Sequence, residues 1–318
     1  MQRVTFTIQD YMEENPQVRR ILRYAALIAL IIIASLLVIV AIDVYTWNGF
    51  VVRAGKSVVD GLALSMLLFL MVSGFFLIFG LCDVINFAHG AFFMLGGFVG
   101  FGIYIGTEAA FLDPALPFHL IFGANHFAIS VTAFIASAFG ATAVLALIGG
   151  GIEFFTIRRL YGKPIAQILL TVGFMFIITQ MAEILFAPRQ ITFDIIQWSQ
   201  IDYFFIMGIL DFGGGLQFDI YRIFLIFLGF TVAALMFVGF KKTRIGLLIQ
   251  AGIEDSEMVE ALGTDIRKLF TIVFMLGAGL AGLSGAVLVP WIGANAGHGI
   301  TYLIFAFVIV VVGGAHYG

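Results

Sequence analysis

Between two strongly apolar stretches, 61–80 and 91–106, the sequence breaks into Ile85-Asn86-Phe87-Ala88-His89-Gly90, placing an amide and an imidazole among aliphatic and aromatic side chains. Asn86 suits the N-cap of a helix beginning near Phe87, because its side-chain oxygen can accept one of the N–H groups that a helix start leaves unpaired. Gly90, without a Cβ, lets another backbone come close. A helix that starts inside a membrane turns its positive end toward whatever lies beyond it, and broken membrane helices hold substrate carboxylates in this way. Irregular backbone at such depth is tolerated against protein or water but not against lipid. Asn86, Phe87, His89 and Gly90 therefore admit two readings: a capped junction in which His89 bonds across helices, or the lining of a substrate path.

No catalytic constellation accompanies the break. His89, His119, His126, His298 and His316 lack metal-ligand spacing, and no nucleophile stands beside a base. Cys82 is single, which excludes a disulfide framework and a cysteine-rich metal site. Neither metal nor cofactor is expected. Gly49 and Gly55-Lys56-Ser57 imitate a phosphate-binding loop, but the spacing is one residue too long and a membrane helix precedes it where a buried strand is required.

A second stretch reads Lys241-Lys242-Thr243-Arg244-Ile245-Gly246 and then Asp255-Ser256-Glu257-Met258-Val259-Glu260-Ala261-Leu262-Gly263. Asp255 or Ser256 can cap a short helix over 257–262, and Gly263 can end it in the left-handed conformation. Such a helix, flanked by basic residues, can lie on lipid headgroups or dock in a groove on a partner, and composition alone favours the headgroups.

The elements that must position these stretches are membrane helices. The chain is 62% hydrophobic and 11% charged, against about a quarter charged in soluble proteins. The expected fold is an all-α polytopic bundle surrounded by membrane lipid. A net charge of -3 with dispersed basic residues gives no nucleic-acid patch. Residues 1–20 form a polar amino-terminal segment, and the apolar run 21–42 exceeds the about 7–15 residues of a signal-peptide core, so it reads as a retained extra helix. Further spans are expected at about 57–80, 91–106, 128–150, 166–187, 221–240, 269–289 and 300–318, each near the roughly 20 residues that cross a bilayer. Eight spans is the expected count.

With the amino terminus inside, the cytoplasmic segments hold Arg3, Arg19, Arg20, Arg23, Arg158, Arg159, Lys163, Lys241, Lys242, Arg244, Arg267 and Lys268, twelve of the 16 basic residues. That asymmetry obeys the positive-inside rule. The outer loop 188–220 mixes Trp198, Tyr203 and Phe204 with Gly213-Gly214-Gly215, which fits an interfacial belt or a docking surface for an external partner. In the seventh span Ala278, Gly282 and Ala286 repeat every fourth residue beside Ala281 and Gly285, and Gly96, Gly100, Gly102 and Gly106 make a similar stripe in the third. Both stripes predict helices pressed closely into the bundle.

Leu77-Ile78-Phe79-Gly80, Val84 to Gly90 and Phe93-Met94-Leu95-Gly96 resemble the signature near the start of the permeases of bacterial branched-chain amino acid ABC transporters. Glu260-Ala261-Leu262-Gly263 is similar to the coupling-helix motif of ABC permeases, with Thr243-Arg244-Ile245-Gly246 before it and Val310-Val311-Val312-Gly313-Gly314 near the end. The chain departs from the pattern at Asp83, where members commonly carry a basic or small residue, and at Ala91, where an acidic one is common. The resemblance covers about 57–318 and implies a permease domain there, cut short at its carboxy-terminal end.

It further implies an ATP-driven importer of leucine, isoleucine and valine in the bacterial inner membrane. Glu257, Glu260, Ala261 and Gly263 would couple to cytoplasmic ATP-binding subunits, beside a second homologous permease and an external solute-binding protein. The chain would then be a transport subunit and no enzyme, with ATP hydrolysis on a separate chain. Similar permeases carry urea or short amides. An ion-coupled transporter or channel is the rival of a different class, and it usually needs paired intramembrane acids or broken helices in both halves. Here the carboxylates Asp60, Asp83, Glu153 and Glu183 are all expected near span ends.

Overall fold

The computed structural model describes residues 47–82, 84–112, 126–186, 209–211, 217–254, 256–261 and 263–313. Nine α-helices fall among them, α1 Trp47–Cys82, α2 Ala88–Leu112, α3 His126–Phe155, α4 Pro164–Phe186, α5 Ile220–Lys242, α6 Arg244–Glu254, α7 Ser256–Ala261, α8 Ile266–Ile292 and α9 His298–Gly313. A 3₁₀ turn, Ile157–Leu160, follows α3, and the short strands β1 Ile209–Asp211 and β2 Gln217–Asp219 pair before α5. The chain divides into two compact units, residues 1–57 with 211–217 and residues 58–210 with 218–318. In the smaller unit the described residues are the first turns of α1, Asp211 and Gln217.

Six of the described helices, α1 to α5 and α8, are long and apolar enough to cross a membrane, and α9 is a shorter apolar helix. The protein is an all-α multi-pass membrane bundle. The six fall on the expected spans from 57–80 to 269–289, α9 takes up residues 300–313 of the expected span 300–318 as a shorter helix, and the run 21–42 lies outside the described residues. Among the six, α8 is the most enclosed, with 72% of its apolar 18-residue stretch buried against 17% for α5 and 22% for α4. Outward residues such as Leu169, Phe176 and Ile184 on α4 and Phe227 and Phe230 on α5 present the apolar surface that a lipid environment requires.

The small-residue stripe explains why α8 can be the centre. Ala278, Ala281, Gly282, Gly285 and Ala286 are all buried, and α8 packs chiefly on α3 and α2. A Cβ at Gly282 would lie 2.7 Å from that of Leu145 on α3, and one at Gly96 would run into the Gly282 backbone. In α2 only half of the stripe meets this purpose. Gly96 and Gly100 abut Gly282 and Ala286, whereas a Cβ at Gly102 or Gly106 would meet none of the described residues within 4 Å. Glycine spacing marks a helix face, but the length over which a neighbour stays in contact depends on crossing geometry.

Helix ends follow local chemistry. Pro164 opens α4, where its missing N–H costs nothing. The Asp265 side chain caps α8 by accepting from the Lys268 N–H at 3.2 Å. Gly293, at φ 86°, closes α8 with its N–H on the Val289 carbonyl at 2.8 Å. Where α1 and α8 run side by side they are antiparallel, since Ser284 Oγ donates to the Leu67 carbonyl at 2.8 Å and Gly74 faces Gly277 further along.

Candidate functional site

The break begins after α1 ends at Cys82, and Val84 to Asn86 are not helical. Asn86 Oδ1 accepts from the Ala88 N–H at 3.1 Å, and the Asn86 carbonyl accepts from the His89 N–H at 3.2 Å. Together these bonds make the N-terminal cap that the sequence calls for. Nε2 of His89 donates to the Met71 carbonyl at 3.0 Å, so the imidazole carries its proton on that nitrogen. Met71 precedes Cys82 by eleven residues, a rise of about 16 Å along α1. The five residues from Cys82 to Phe87 cover about the same distance when extended. The chain therefore turns back along α1, and α2 starts well inside the bundle.

Asn86 and His89 are completely buried. The Phe75 ring meets the imidazole edge to face at 5.5 Å, and Thr171 on α4 donates to the Ile85 carbonyl at 3.3 Å. Asn86 Nδ2 and His89 Nδ1, a donor and an acceptor, have no hydrogen-bond partner among the described residues. Gly90 lies against α9, where a Cβ would sit 2.8 Å from that of Leu303 and closer still to the Gly299 carbonyl oxygen. Phe87 is placed differently. With Phe75, Ile85, Leu303, Ile304, Phe307 and Val308 it lines an apolar cavity of about 180 Å³. Of the four break residues, three are packed inside and one faces open space.

At the other candidate stretch, Thr243 manages the turn from α5 into α6. Its hydroxyl donates to the Gly239 carbonyl at 2.6 Å and accepts the Gly246 N–H at 3.0 Å. Gly246 must be small, because a Cβ would lie 2.5 Å from Phe240 Cα. The α6 helix was missing from the sequence reading, although Thr followed three residues later by Gly is a legible cap and close approach. The short helix α7 comes next and carries Glu257, Glu260 and Ala261, with Glu260 and Ala261 exposed and Val259 buried. Gly263 is at φ 87°, its N–H bonds the Glu260 carbonyl at 2.9 Å, and the Thr264 N–H bonds the Val259 carbonyl at 3.3 Å. This pair of bonds is a Schellman cap, and it requires the left-handed residue.

Near the start of α8 lies a polar cluster whose pairing the sequence does not reveal. Glu153, two residues before the end of α3, is fully buried. Arg158 from the 3₁₀ turn meets its carboxylate through Nε and Nη2, each at 3.3 Å, Tyr161 donates to Oε1 at 3.1 Å, and Thr271 on α8 donates to Oε2 at 2.6 Å. Burial, with the nearby Cys82 and Glu153, pushes the Tyr161 phenol well up. Burial likewise raises the Cys82 thiol and keeps it neutral. Among the described residues no group of three or more His, Cys, Asp or Glu side chains could hold a metal ion.

These features describe a membrane bundle in which one helix starts at a buried, capped turn and a capped short helix lies between two spans. The profile of the family described as the permease component of the branched-chain amino acid transport system matches residues 57–318. The chain belongs to this family. It is 26% identical over 265 residues to the high-affinity branched-chain amino acid transport system permease protein BraD of Pseudomonas aeruginosa, covering 81% of this chain and 78% of that protein. No solved structure matches it. Membership makes this chain a permease component of a transport system, and the break and the short helix α7 both fall inside the matched region.

Proposed function

We infer that this chain forms the translocation path of an ATP-binding cassette importer for leucine, isoleucine and valine in a bacterial inner membrane. Family membership over residues 57–318 carries the reading. The amino terminus lies in the cytoplasm, which puts Arg158, Lys241, Arg244 and Lys268 on the inner side as the positive-inside rule requires. ATP is hydrolysed on separate subunits, which dock on α7 through Glu257, Glu260, Ala261 and Gly263. The exposure of Glu260 and Ala261 and the rigid Schellman cap support this role. A second homologous permease completes the path, and an external solute-binding protein delivers the substrate.

Asn86, Phe87, His89 and Gly90 form the inner part of the path. Asn86 and His89 fix where α2 begins, Gly90 holds α9 close, and Phe87 contributes to an apolar cavity in keeping with an aliphatic side chain. The test is reconstitution in vesicles with the cognate ATP-binding subunits, second permease and binding protein. Gly263→Val should abolish stimulation of ATP hydrolysis while membrane insertion is kept, because a β-branched residue resists positive φ. A thiol at Phe87 should react with a small water-soluble reagent, and less so in one locked facing state. Unchanged stimulation would remove the docking role, and no labelling in any state would remove the path. Stabilisation of the binding protein by urea or a short amide in place of leucine would reassign the substrate.

A further inference from the structure

The Glu153 cluster stands apart from both the path and the docking helix, yet it touches the elements between them. One carboxylate holds three pieces of the chain: the end of α3 that bears it, the 3₁₀ turn through Arg158, and α8 through Thr271. Nη2 of Arg158 also donates to the Arg267 carbonyl at 3.2 Å and to the Thr271 hydroxyl. Arg267 lies six residues beyond the end of α7, in the first turn of α8. On the far side of the cluster the Tyr161 ring stacks edge to face on Phe270 of α8 at 4.9 Å.

The position is unfavourable for an acid on two counts. A carboxylate near a helix C-terminus opposes the macrodipole. Burial of an ion pair is also often no better for stability than an apolar replacement of the same shape. What the pair supplies is directional geometry between two helices, through bonds that can break and re-form as discrete states.

We propose that Glu153 is a positioning residue which latches the base of α8 to the end of α3, so that displacement of α7 is delivered to both helices together. The inference rests on the docking role assigned to α7 above. When the α7 segment moves, Asp265 and Ile266 move with it, because the Schellman cap and the Asp265 cap leave little slack between α7 and α8. The latch then carries α3 along, and α3 and α8 both pack against α2, whose start is the break. Without the latch α8 moves at its base while α3 stays, and ATP is hydrolysed without movement of substrate.

The experiment has two arms. In the purified full chain in detergent, hydrogen exchange is followed for the first two turns of α8 in wild type, Glu153→Gln, Thr271→Val and Thr271→Ser. Exchange there should rise about tenfold in Glu153→Gln and Thr271→Val, with the amides of α2 unchanged and Thr271→Ser like wild type. In vesicles with the partner subunits, the same two variants should consume about tenfold more ATP per substrate moved, with equal amounts of assembled complex. Wild-type exchange and stoichiometry in both variants would overturn the proposal. So would a parallel fall in uptake, hydrolysis and assembled complex, which marks a merely structural carboxylate. If wild type itself shows no ATP-driven uptake, the transporter reading fails, and the exchange arm still decides whether Glu153 ties α8 to α3.

Discussion

Nε2 of His89 and the carbonyl oxygen of Met71, eighteen residues apart in sequence, lie 3.0 Å from each other and set the level in the bundle at which α2 begins. Asn86 supplies the other half of this arrangement by capping the same helix end. Asn86→Ala is expected to cost about 0.5–2 kcal/mol, and Asn86→Ser, which keeps an acceptor, to be nearly neutral. Chemical unfolding in detergent, read by the loss of helical signal, checks both values.

Two glycines of α2 should respond in opposite ways to the same change. Gly90→Ala forces a methyl group into the Gly299 backbone and should destabilise by about 1–3 kcal/mol. Gly102→Ala meets none of the described residues within 4 Å and should stabilise by about 0.5–1 kcal/mol through lower chain entropy. Paired melting curves of the two variants against wild type are sufficient. A stabilising Gly90→Ala would contradict the contact between α2 and α9.

The Asp265 cap carries a pH signature. The Lys268 backbone N–H, and then its side chain, hold the Asp265 carboxyl below its ordinary value of 3.8. A depressed folded-state pKa means that the contribution is complete above the unfolded value and is lost as pH falls through the folded one. The stability difference between wild type and Asp265→Asn should therefore stay constant from about pH 7 to 5 and shrink only in the acid range below. A difference that changes across neutral pH would point to another group.

Cys82 is the single cysteine of the chain, it is buried, and burial raises its thiol. A maleimide should leave the folded protein unmodified and label it stoichiometrically once unfolded, because only the thiolate reacts. Mass spectrometry before and after denaturation reads the outcome. Fast labelling of the native chain would mean that the end of α1 opens to water.

What the sequence revealed and what it hid differ by the reach of the interaction. The Asn86 cap spans two residues and the Gly263 cap five, and both were readable because residue type alone fixes the local geometry. Six membrane helices followed from apolar runs of sufficient length. The level at which α2 starts was not readable, since it depends on Met71 and His89 meeting across a turn of the chain. Thr271 finds Glu153 across 118 residues, and no periodicity announces such a pair. Glu108 was missed for a simpler reason. The expected span stopped at residue 106, whereas α2 runs to Leu112 and buries that side chain.

Gly74 faces the Gly277 backbone, and Gly277 faces that of Gly74; Gly90 and Gly299 stand in the same mutual relation. Each contact is already built from the smallest residue on both sides. A bulkier side chain at one position therefore gains no room from a change at the glycine that faces it. In a genetic screen, loss of function at any of these four glycines should yield revertants to glycine itself, or compensating changes elsewhere, and none at the facing position.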